Sequence, residues 1–193
     1  MLNKQDFDEM RQKMERFDDQ RESLIKRGRD LIKLSKEIIY STHRNEIKAA
    51  ESKVKEIKSV AKELKKIAEK HPELYYSGSF KQSFQEYVEA LCYYEFVKNK
   101  KIPTHKELDV EIEHYLLGLC DLTGELVRNA IIAAVGDDVK QALSVKSLVE
   151  ELYWELVKFD FRNSELRRKF DSIKYDLKKL EDLILQLKLQ KKI

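Results

Sequence analysis

The chain of 193 residues is long enough for one domain with its own hydrophobic core, and its five glycines and two prolines allow few turns. Charged residues make up 38% of the chain and aromatic residues 9%, which excludes a β-sandwich or a disordered chain and is typical of long amphipathic helices. The net charge is only +3, so any surface for nucleic acid must arise from local arrangement.

Six long helices are predicted in chain order, at about residues 5–44, 46–70, 73–98, 109–135, 139–161 and 163–191. The third begins loosely around Ser77-Gly78, and one short separate turn can precede the fourth. Thr104 with Glu107 predicts a capping box, and Asn163 can cap the last helix. The sequence therefore predicts one all-α domain over residues 1–193, an elongated helical bundle of about six to seven helices.

The cysteine and hydropathy patterns predict a cytoplasmic protein. Cys92 and Cys120 both lie in apolar helical context and are expected to be reduced core residues. The opening stretch MLNKQDFDEM is charged from the start, so no signal peptide is expected. No apolar run approaches the roughly 20 residues that a membrane span needs.

Two carboxylates stand in the stretch GLCDLTGELVR at residues 118–128, which otherwise has the composition of a helix interior. Asp121 and Glu125 are four residues apart and therefore share one face of the fourth helix. Gly118 lies on the same face and is expected to leave room beside the pair. Little else on this face is polar except Arg128, so the face is not a solvated one.

The third helix repeats this pattern in QSFQEYVEALCYYEFV, where Glu86 and Glu89 are three residues apart and their face continues into Tyr93. Burying an unpaired carboxylate costs several kcal/mol or forces it to hold a proton. Four carboxylates from two helices are tolerable around Mg²⁺ or Mn²⁺, which prefer oxygen ligands. Exposed acids or acids paired with lysine remain the alternative, because helical spacing alone does not bring two helices together.

The first helix carries a basic stripe in KRGRDLIKLSKEIIYSTHR, at residues 26–44. Lys26, Arg29, Lys33 and Lys36 lie on one face, opposite an apolar face, and Arg44 returns to the basic side. Such a row can follow a phosphate backbone with little dependence on base sequence. The alternative is a solvated face that is balanced by acids on neighbouring helices.

Other catalytic patterns are absent from the sequence. It has no glycine-rich phosphate loop and no G-x-S-x-G motif. The histidines His43, His71, His105 and His114 have no evident serine or cysteine partner, and His114 is expected to be a partly buried structural residue.

Three segments resemble the translin/Trax family, and in particular its Trax branch. They are QEYVEA at 85–90, YLLGLCDLTGEL at 115–126 and NSELRRKFDSIKYDLKKLEDLILQL at 163–187, with a weaker similarity in THRNEI at 42–47. The resemblance spans most of the chain in order. It implies an all-α fold of about seven helices, assembled into hollow octamers that enclose RNA.

The resemblance also implies a Mg²⁺-dependent endoribonuclease, similar to the translin–Trax complex, which removes nicked passenger strands and trims tRNA-processing fragments. Translin-type members bind RNA or DNA and lack the catalytic carboxylates, whereas Trax-type members carry them. The four catalytic acids of the family fall on residues that the helical faces single out, namely Glu86, Glu89, Asp121 and Glu125. Arg128 matches a recurring arginine and is a candidate for contacting phosphate or for orienting Asp121.

The chain departs from the family pattern at three places. His114 stands where the family usually has Asp, the connection between the third and fourth helices is very short, and the basic and aromatic block of translin is reduced to SGSFK, with Lys81 as the nearest cation. These features resemble a compact prokaryotic or archaeal form, which would build the shell from one type of subunit.

The sequence therefore predicts a homo-oligomeric, octameric endoribonuclease whose four acids hold Mg²⁺ or Mn²⁺. The predicted RNA contacts are Lys26, Arg29, Lys33, Lys36, Arg44, Lys81 and Arg128. A non-catalytic shell that binds RNA or single-stranded DNA, with the acids in structural salt bridges, is the main alternative, and a helical scaffold without nucleic acid is another.

Overall fold

The computed structural model describes residues 2–162 and 164–190. These residues form eight α-helices and no strand, which confirms the predicted all-α class. The helices are α1 (Lys4–His43), α2 (Ile47–Glu69), α3 (Pro72–Tyr75), α4 (Gly78–Asn99), α5 (His105–Leu108), α6 (Ile112–Val135), α7 (Val139–Val157) and α8 (Glu165–Leu189). Two of the eight, α3 and α5, are single turns of four residues, and the predicted domain limits stay a prediction.

The long helix α1 is buried only in its second half. The side chain of Asn3 caps it by accepting hydrogen bonds from the backbone N–H groups of Gln5 and Asp6. Its first buried residue is Leu24, and Leu31 and Ile38 follow at seven-residue spacing on the same face. The turns before Leu24 are mostly exposed, so α1 extends beyond the body of the bundle.

The packing order places α4 and α6 at the centre of the molecule. α1 packs on α2 and α4, α4 packs on α6, and α6 packs on both α7 and α8. Large buried side chains fill the layer between these helices, among them Phe80, Phe84, Tyr93, Leu117 and Leu122. Residues on the facing sides of α4 and α6 are therefore surrounded by packed side chains.

Most predicted helix ends agree with the structure, and the exceptions have local causes. The predicted helix 73–98 is interrupted after Tyr75, and α4 starts anew where Ser77 caps it by accepting from the N–H of Phe80. Thr104 and Glu107 form the predicted capping box at α5. The fifth predicted helix was extended too far, because α7 ends at Val157 and Phe161 beyond it packs on Phe170 of α8.

The cap of the last helix differs from the predicted one. Asn163 lies outside the described residues, and Ser164 caps α8 by accepting from the N–H of Arg167 at 3.3 Å. Both Cys92 and Cys120 are buried and free, as expected. Within residues 2–162 and 164–190, no helix has the length and apolar character that crossing a membrane requires. The cytoplasmic location stays a prediction.

Candidate functional site

The helices α4 and α6 cross in close contact beside the predicted acids. A Cβ atom on Gly118 of α6 would lie 2.8 Å from the carbonyl oxygen of Gln85 on α4, which is closer than real Cβ contacts. The room that Gly118 was expected to leave beside the acids is thus filled by α4 itself. This crossing brings the segment around Glu86 next to the segment that carries Asp121.

The structure brings the four predicted acids into one cluster, which we call the carboxylate cluster: Glu86, Glu89, Asp121 and Glu125. All four side chains are half-buried. Burial first, and then the negative charges of Asp121, Glu86 and Glu125, raise the pKa of Glu89 to about 8. Each of the other three acids therefore lies close enough to Glu89 to oppose its ionisation.

Glu86 is the member of the carboxylate cluster on which the basic stripe acts. Burial raises the pKa of Glu86, the positive charge of Lys36 lowers it, and the charge of Asp121 raises it again. Lys36 therefore lies near enough to act on Glu86 electrostatically. Lys36, at one end of the exposed stripe, therefore acts on a member of the carboxylate cluster.

Asp121 is held by two residues that sequence reasoning missed. The ammonium group of Lys169 on α8 donates to both carboxylate oxygens of Asp121, at 2.6 and 2.8 Å. The side-chain amide of Gln85 on α4 donates to Oδ2 of the same carboxylate. Arg128 was a candidate for orienting Asp121. In the structure, Lys169 and Gln85 make the contacts that orient this carboxylate.

Glu125 is held by a histidine, a contact that sequence reasoning also missed. The Nε2 atom of His43, the last residue of α1, lies 2.5 Å from Oε2 of Glu125. The other ring nitrogen of His43 lies 2.8 Å from the hydroxyl of Tyr93 on α4. Arg128 also lies beside Glu125, at 3.9 Å, and its guanidinium lies over the ring of Tyr40.

The carboxylate cluster has the donor atoms that a hard divalent ion prefers, because four carboxylates supply oxygen ligands only. Within the described residues, however, no group of three or more Asp, Glu, His or Cys side chains is arranged so that it could hold a metal ion. Two of the four acids point to protein partners, since Asp121 contacts Lys169 and Glu125 contacts His43. The donor chemistry thus fits a divalent ion, and for ion binding the acids would have to move from this arrangement, with Asp121 giving up Lys169.

The basic stripe is exposed and available to a ligand. No ion pair involves Lys26, Arg29, Lys33 or Lys36 in the part of the chain that the structure describes, and all four are exposed. Arg27, which lies on another side of α1, instead pairs with Asp30 and Glu63, both at 3.3 Å. The uncompensated positive charge of this part of α1 is therefore concentrated on the predicted face.

The other predicted RNA contacts are less available. Arg44 is exposed and pairs with Glu46 at 2.8 Å. Lys81 pairs with Glu113 at 2.7 Å and with Glu165 at 3.3 Å, so its charge is already compensated. The same end of the bundle holds His114, which was expected to be partly buried and is buried against the rings of Phe80 and Phe84.

Comparison with known proteins decides the family. The family model described as "Translin family" matches residues 19–191. The chain belongs to the translin family. An uncharacterised protein of Methanocaldococcus jannaschii is 33% identical over 157 residues, which cover 80% of this chain and 70% of that protein. This archaeal relative supports the predicted compact form of the translin family.

Solved structures confirm the translin-like fold. The structure of apo-NeC3PO has a TM-score of 0.89 and 30% sequence identity, and the match covers 96% of this chain and 98% of that one. The structure of AfC3PO in complex with duplex RNA has a TM-score of 0.85 and 24% identity, with 95% and 97% covered. At this identity the second likeness establishes the fold alone.

Proposed function

We propose that this translin-family protein is a Mg²⁺-dependent endoribonuclease that cleaves RNA inside a homo-octameric shell. The observation that carries the proposal is the meeting of Glu86, Glu89, Asp121 and Glu125 in one half-buried cluster. Within the described residues, Lys169 is the only lysine in direct contact with any of the four. Four half-buried carboxylates together are stable when a proton on Glu89 or a divalent cation compensates their charge, which favours binding of a divalent cation.

The four acids would hold the ion or ions, with Mn²⁺ as a substitute for Mg²⁺. An ion at such a site supplies a water molecule of lowered pKa and stabilises the charge that develops at the phosphorus. Within the described residues, Asp121 is held by Lys169 and Glu125 by His43, whereas Glu86 and Glu89 take part in no ion pair. One of the two unpaired acids is therefore the better placed to accept the proton of the attacking water as a general base. The products would carry 5′-phosphate and 3′-hydroxyl ends.

The basic stripe on α1 provides the substrate surface in this proposal. Its lysines are exposed and unpaired, and Lys36 reaches the electrostatic surroundings of Glu86. A phosphate backbone lying along the stripe would therefore arrive at the carboxylate cluster. Contacts to phosphates carry little sequence information, so cleavage would show little sequence preference. AfC3PO, which shares the fold, was solved with duplex RNA, and RNA is the ligand class that we propose here.

Exposed apolar side chains support assembly into an oligomer. Ile131, Ile132 and Val135 are exposed at the end of α6, with 82% of Val135 accessible. Trp154 of α7 is 64% exposed, and Met14 lies on the part of α1 that extends from the bundle. A monomer in water rarely exposes so much apolar surface, so these faces suit contacts between subunits.

A second candidate function is a non-catalytic shell that binds RNA or single-stranded DNA. The ion pair of Asp121 with Lys169 and the hydrogen bond of Glu125 with His43 favour it, because they give two of the four acids a structural role without a metal ion. This candidate gives Glu89 no structural role, since Glu89 forms no hydrogen bond or ion pair of this kind within the described part of the chain. The two candidates therefore differ most clearly at Glu89.

The deciding experiment compares Glu89→Gln with the wild type on end-labelled RNA, in Mg²⁺ and in EDTA. The nuclease proposal expects wild-type cleavage only with Mg²⁺ and a loss of at least about 100-fold in the variant, with RNA binding and oligomer mass unchanged. Glu56→Gln, which removes an exposed acid on α2, is the matched control and should cleave normally. Wild-type protein that binds RNA and leaves it intact in Mg²⁺ would establish the second candidate.

A further inference from the structure

A chain of hydrogen bonds runs from the molecular surface through the core to the carboxylate cluster. It connects side chains of α1, α4, α6 and α7 and the residue that follows α4. In order, the chain joins Lys100, Gln141, Asn129, Tyr93, His43 and Glu125. Only the last of these residues belongs to the carboxylate cluster, and the other five have no role in the proposed function.

The first three donors of this chain all point towards Glu125. The ammonium group of Lys100 donates to the amide oxygen of Gln141 at 2.7 Å, and the amide nitrogen of Gln141 donates to the oxygen of Asn129 at 2.8 Å. The amide nitrogen of Asn129 then donates to the hydroxyl oxygen of Tyr93 at 3.1 Å. The hydroxyl hydrogen of Tyr93 therefore remains free to point at the next member of the chain.

That direction fixes the tautomer of His43. The carboxylate of Glu125 can only accept, so Nε2 carries a hydrogen, and in the neutral ring Nδ1 then accepts the hydroxyl hydrogen of Tyr93 at 2.8 Å. The ring proton then resides on Nε2, which donates to Oε2 of Glu125 at 2.5 Å. Burial raises the pKa of Tyr93, so its hydroxyl keeps the hydrogen that this arrangement requires.

Burial leaves the imidazole ring few alternatives. The side chain of His43 is 4% exposed, Tyr93 is fully buried, and their ring centroids lie 4.5 Å apart. Turning the imidazole would leave buried donors and acceptors without partners, which is unfavourable. Arg128 is partly exposed and 3.9 Å away, so it constrains Glu125 less than His43 does.

We infer that Tyr93 is a positioning residue, which holds His43 so that Nε2–H fixes the direction of the Glu125 carboxylate towards a divalent ion. The inference rests on the proposed function, because it takes Glu125 as one of the acids that hold the ion. Outer contacts of this kind set the orientation of a carboxylate ligand, and their loss costs about 10- to 100-fold in metal affinity or activity.

The first test removes one oxygen atom with Tyr93→Phe. Tyr94→Phe is the matched control, because Tyr94 is equally buried on α4 and its hydroxyl contacts Lys98, away from the carboxylate cluster. We expect Tyr93→Phe to weaken Mn²⁺ binding in titration calorimetry by about 10- to 100-fold and to lower kcat with KM for RNA unchanged. The control should keep wild-type values for all three quantities.

The second test separates the two nitrogens of His43. In His43→Gln the amide can place a donor near the position of Nε2, whereas in His43→Asn the shorter side chain reaches only the position of Nδ1. We expect His43→Gln to retain most of the Mn²⁺ affinity and His43→Asn to lose it. A purely structural role would make Mn²⁺ affinity follow the thermal stability of the two variants, and that result overturns the inference.

The tautomer is measurable without any metal ion or RNA. Magic-angle-spinning NMR of protein labelled with ¹⁵N-histidine distinguishes Nε2–H from Nδ1–H, and His43→Gln identifies the resonance among the four histidines. We expect Nε2–H in the wild type and a mixture in Tyr93→Phe. An unchanged tautomer in Tyr93→Phe, with unchanged Mn²⁺ affinity, overturns the inference.

The failure of the inference and the failure of the proposed function are distinguishable. Wild-type protein that binds Mn²⁺ and does not cleave RNA overturns the nuclease proposal alone, and protein that binds no Mn²⁺ at Glu125 overturns both.

Discussion

The Cβ atom of Val88 on α4 lies 2.6 Å from the position that a Cβ atom on Gly118 of α6 would occupy. Contacts this short essentially never occur, and the carbonyl oxygen of Gln85, at 2.8 Å from the same position, belongs to the backbone and cannot rotate away. The absence of a side chain at Gly118 therefore sets the separation of α4 and α6. These two helices carry the two pairs of acids, so Gly118 also sets the separation of the pairs.

We expect Gly118→Ala to push α4 and α6 apart, to lower the free energy of unfolding by about 1–3 kcal/mol and to weaken Mn²⁺ binding. Urea denaturation and calorimetry measure the two effects. Gly124→Ala on the same helix is the control, because nothing lies within 4 Å of a Cβ there. It should stabilise the protein by up to about 1 kcal/mol, through helix propensity alone. Equal behaviour of the two variants would show that close contact at Gly118 is unimportant.

The raised pKa of Glu89 predicts an unusual dependence of stability on pH. Its pKa is 4.5 in the unfolded chain and about 8 in the folded protein, so the folded state binds the additional proton between these values. Stability from this group is complete below about pH 4.5 and is lost as pH rises towards 8. The loss is up to about 1.4 kcal/mol per pH unit in this window. Without metal ions, the free energy of unfolding of the wild type should therefore fall relative to that of Glu89→Gln between pH 5 and 8.

Chemical denaturation in EDTA at several pH values measures this difference. Comparing the wild type with Glu89→Gln cancels the contributions of other titrating groups, such as His114, whose pKa burial lowers. Adding Mn²⁺ should remove most of the loss, because an ion compensates the charge that the proton otherwise neutralises. A difference between the two proteins that is independent of pH would contradict the coupling of the four acids.

Helical periodicity was sufficient to predict the class of fold and the pairing of acids on each helix. Asp121 and Glu125 were assigned to one face because they are four residues apart, and Glu86 and Glu89 because they are three apart. Periodicity does not determine which faces of two helices meet. The meeting of α4 and α6 was expected from the family resemblance, and the glycine at position 118 allows it.

The partners of the acids could not be predicted, because they lie far away in sequence. Lys169 is 48 residues from Asp121, and His43 is 82 residues from Glu125. Lys169 follows two arginines in the sequence, and nothing local distinguishes its side chain from theirs. His43 lies in the segment THRNEI that resembles the family, but no local sequence pattern links it to an acid 82 residues away.

The basic stripe predicts that RNA affinity depends strongly on salt. A protein that neutralises phosphates with lysine releases counterions, and each lost contact lowers the slope of log affinity against log salt by about 1. Lys33→Gln with Lys36→Gln should therefore weaken RNA binding and reduce this slope by about 2. Fluorescence anisotropy at several salt concentrations measures both quantities.

Two exposed lysines of α2, Lys55 and Lys58, provide a control with the same change in net charge. Lys55→Gln with Lys58→Gln should leave the salt slope unchanged, because these lysines alternate with acids such as Glu56 and lie on another helix. An equal loss of RNA affinity in both double variants would indicate attraction by net charge and would argue against RNA binding along α1.

Lys169 compensates Asp121 from within the protein and should therefore compete with a metal ion for it. Lys169→Met removes two short hydrogen bonds to a half-buried carboxylate and should lower the free energy of unfolding in EDTA by about 1–3 kcal/mol. Mn²⁺ should restore stability more strongly in this variant than in the wild type, because no ammonium group has to leave Asp121. The control Lys174→Met loses only an exposed contact with Asp171 at 3.5 Å and should change stability by less than about 1 kcal/mol. Destabilisation by Lys169→Met that Mn²⁺ does not reverse would identify Asp121 as a structural partner of Lys169, as the non-catalytic shell requires.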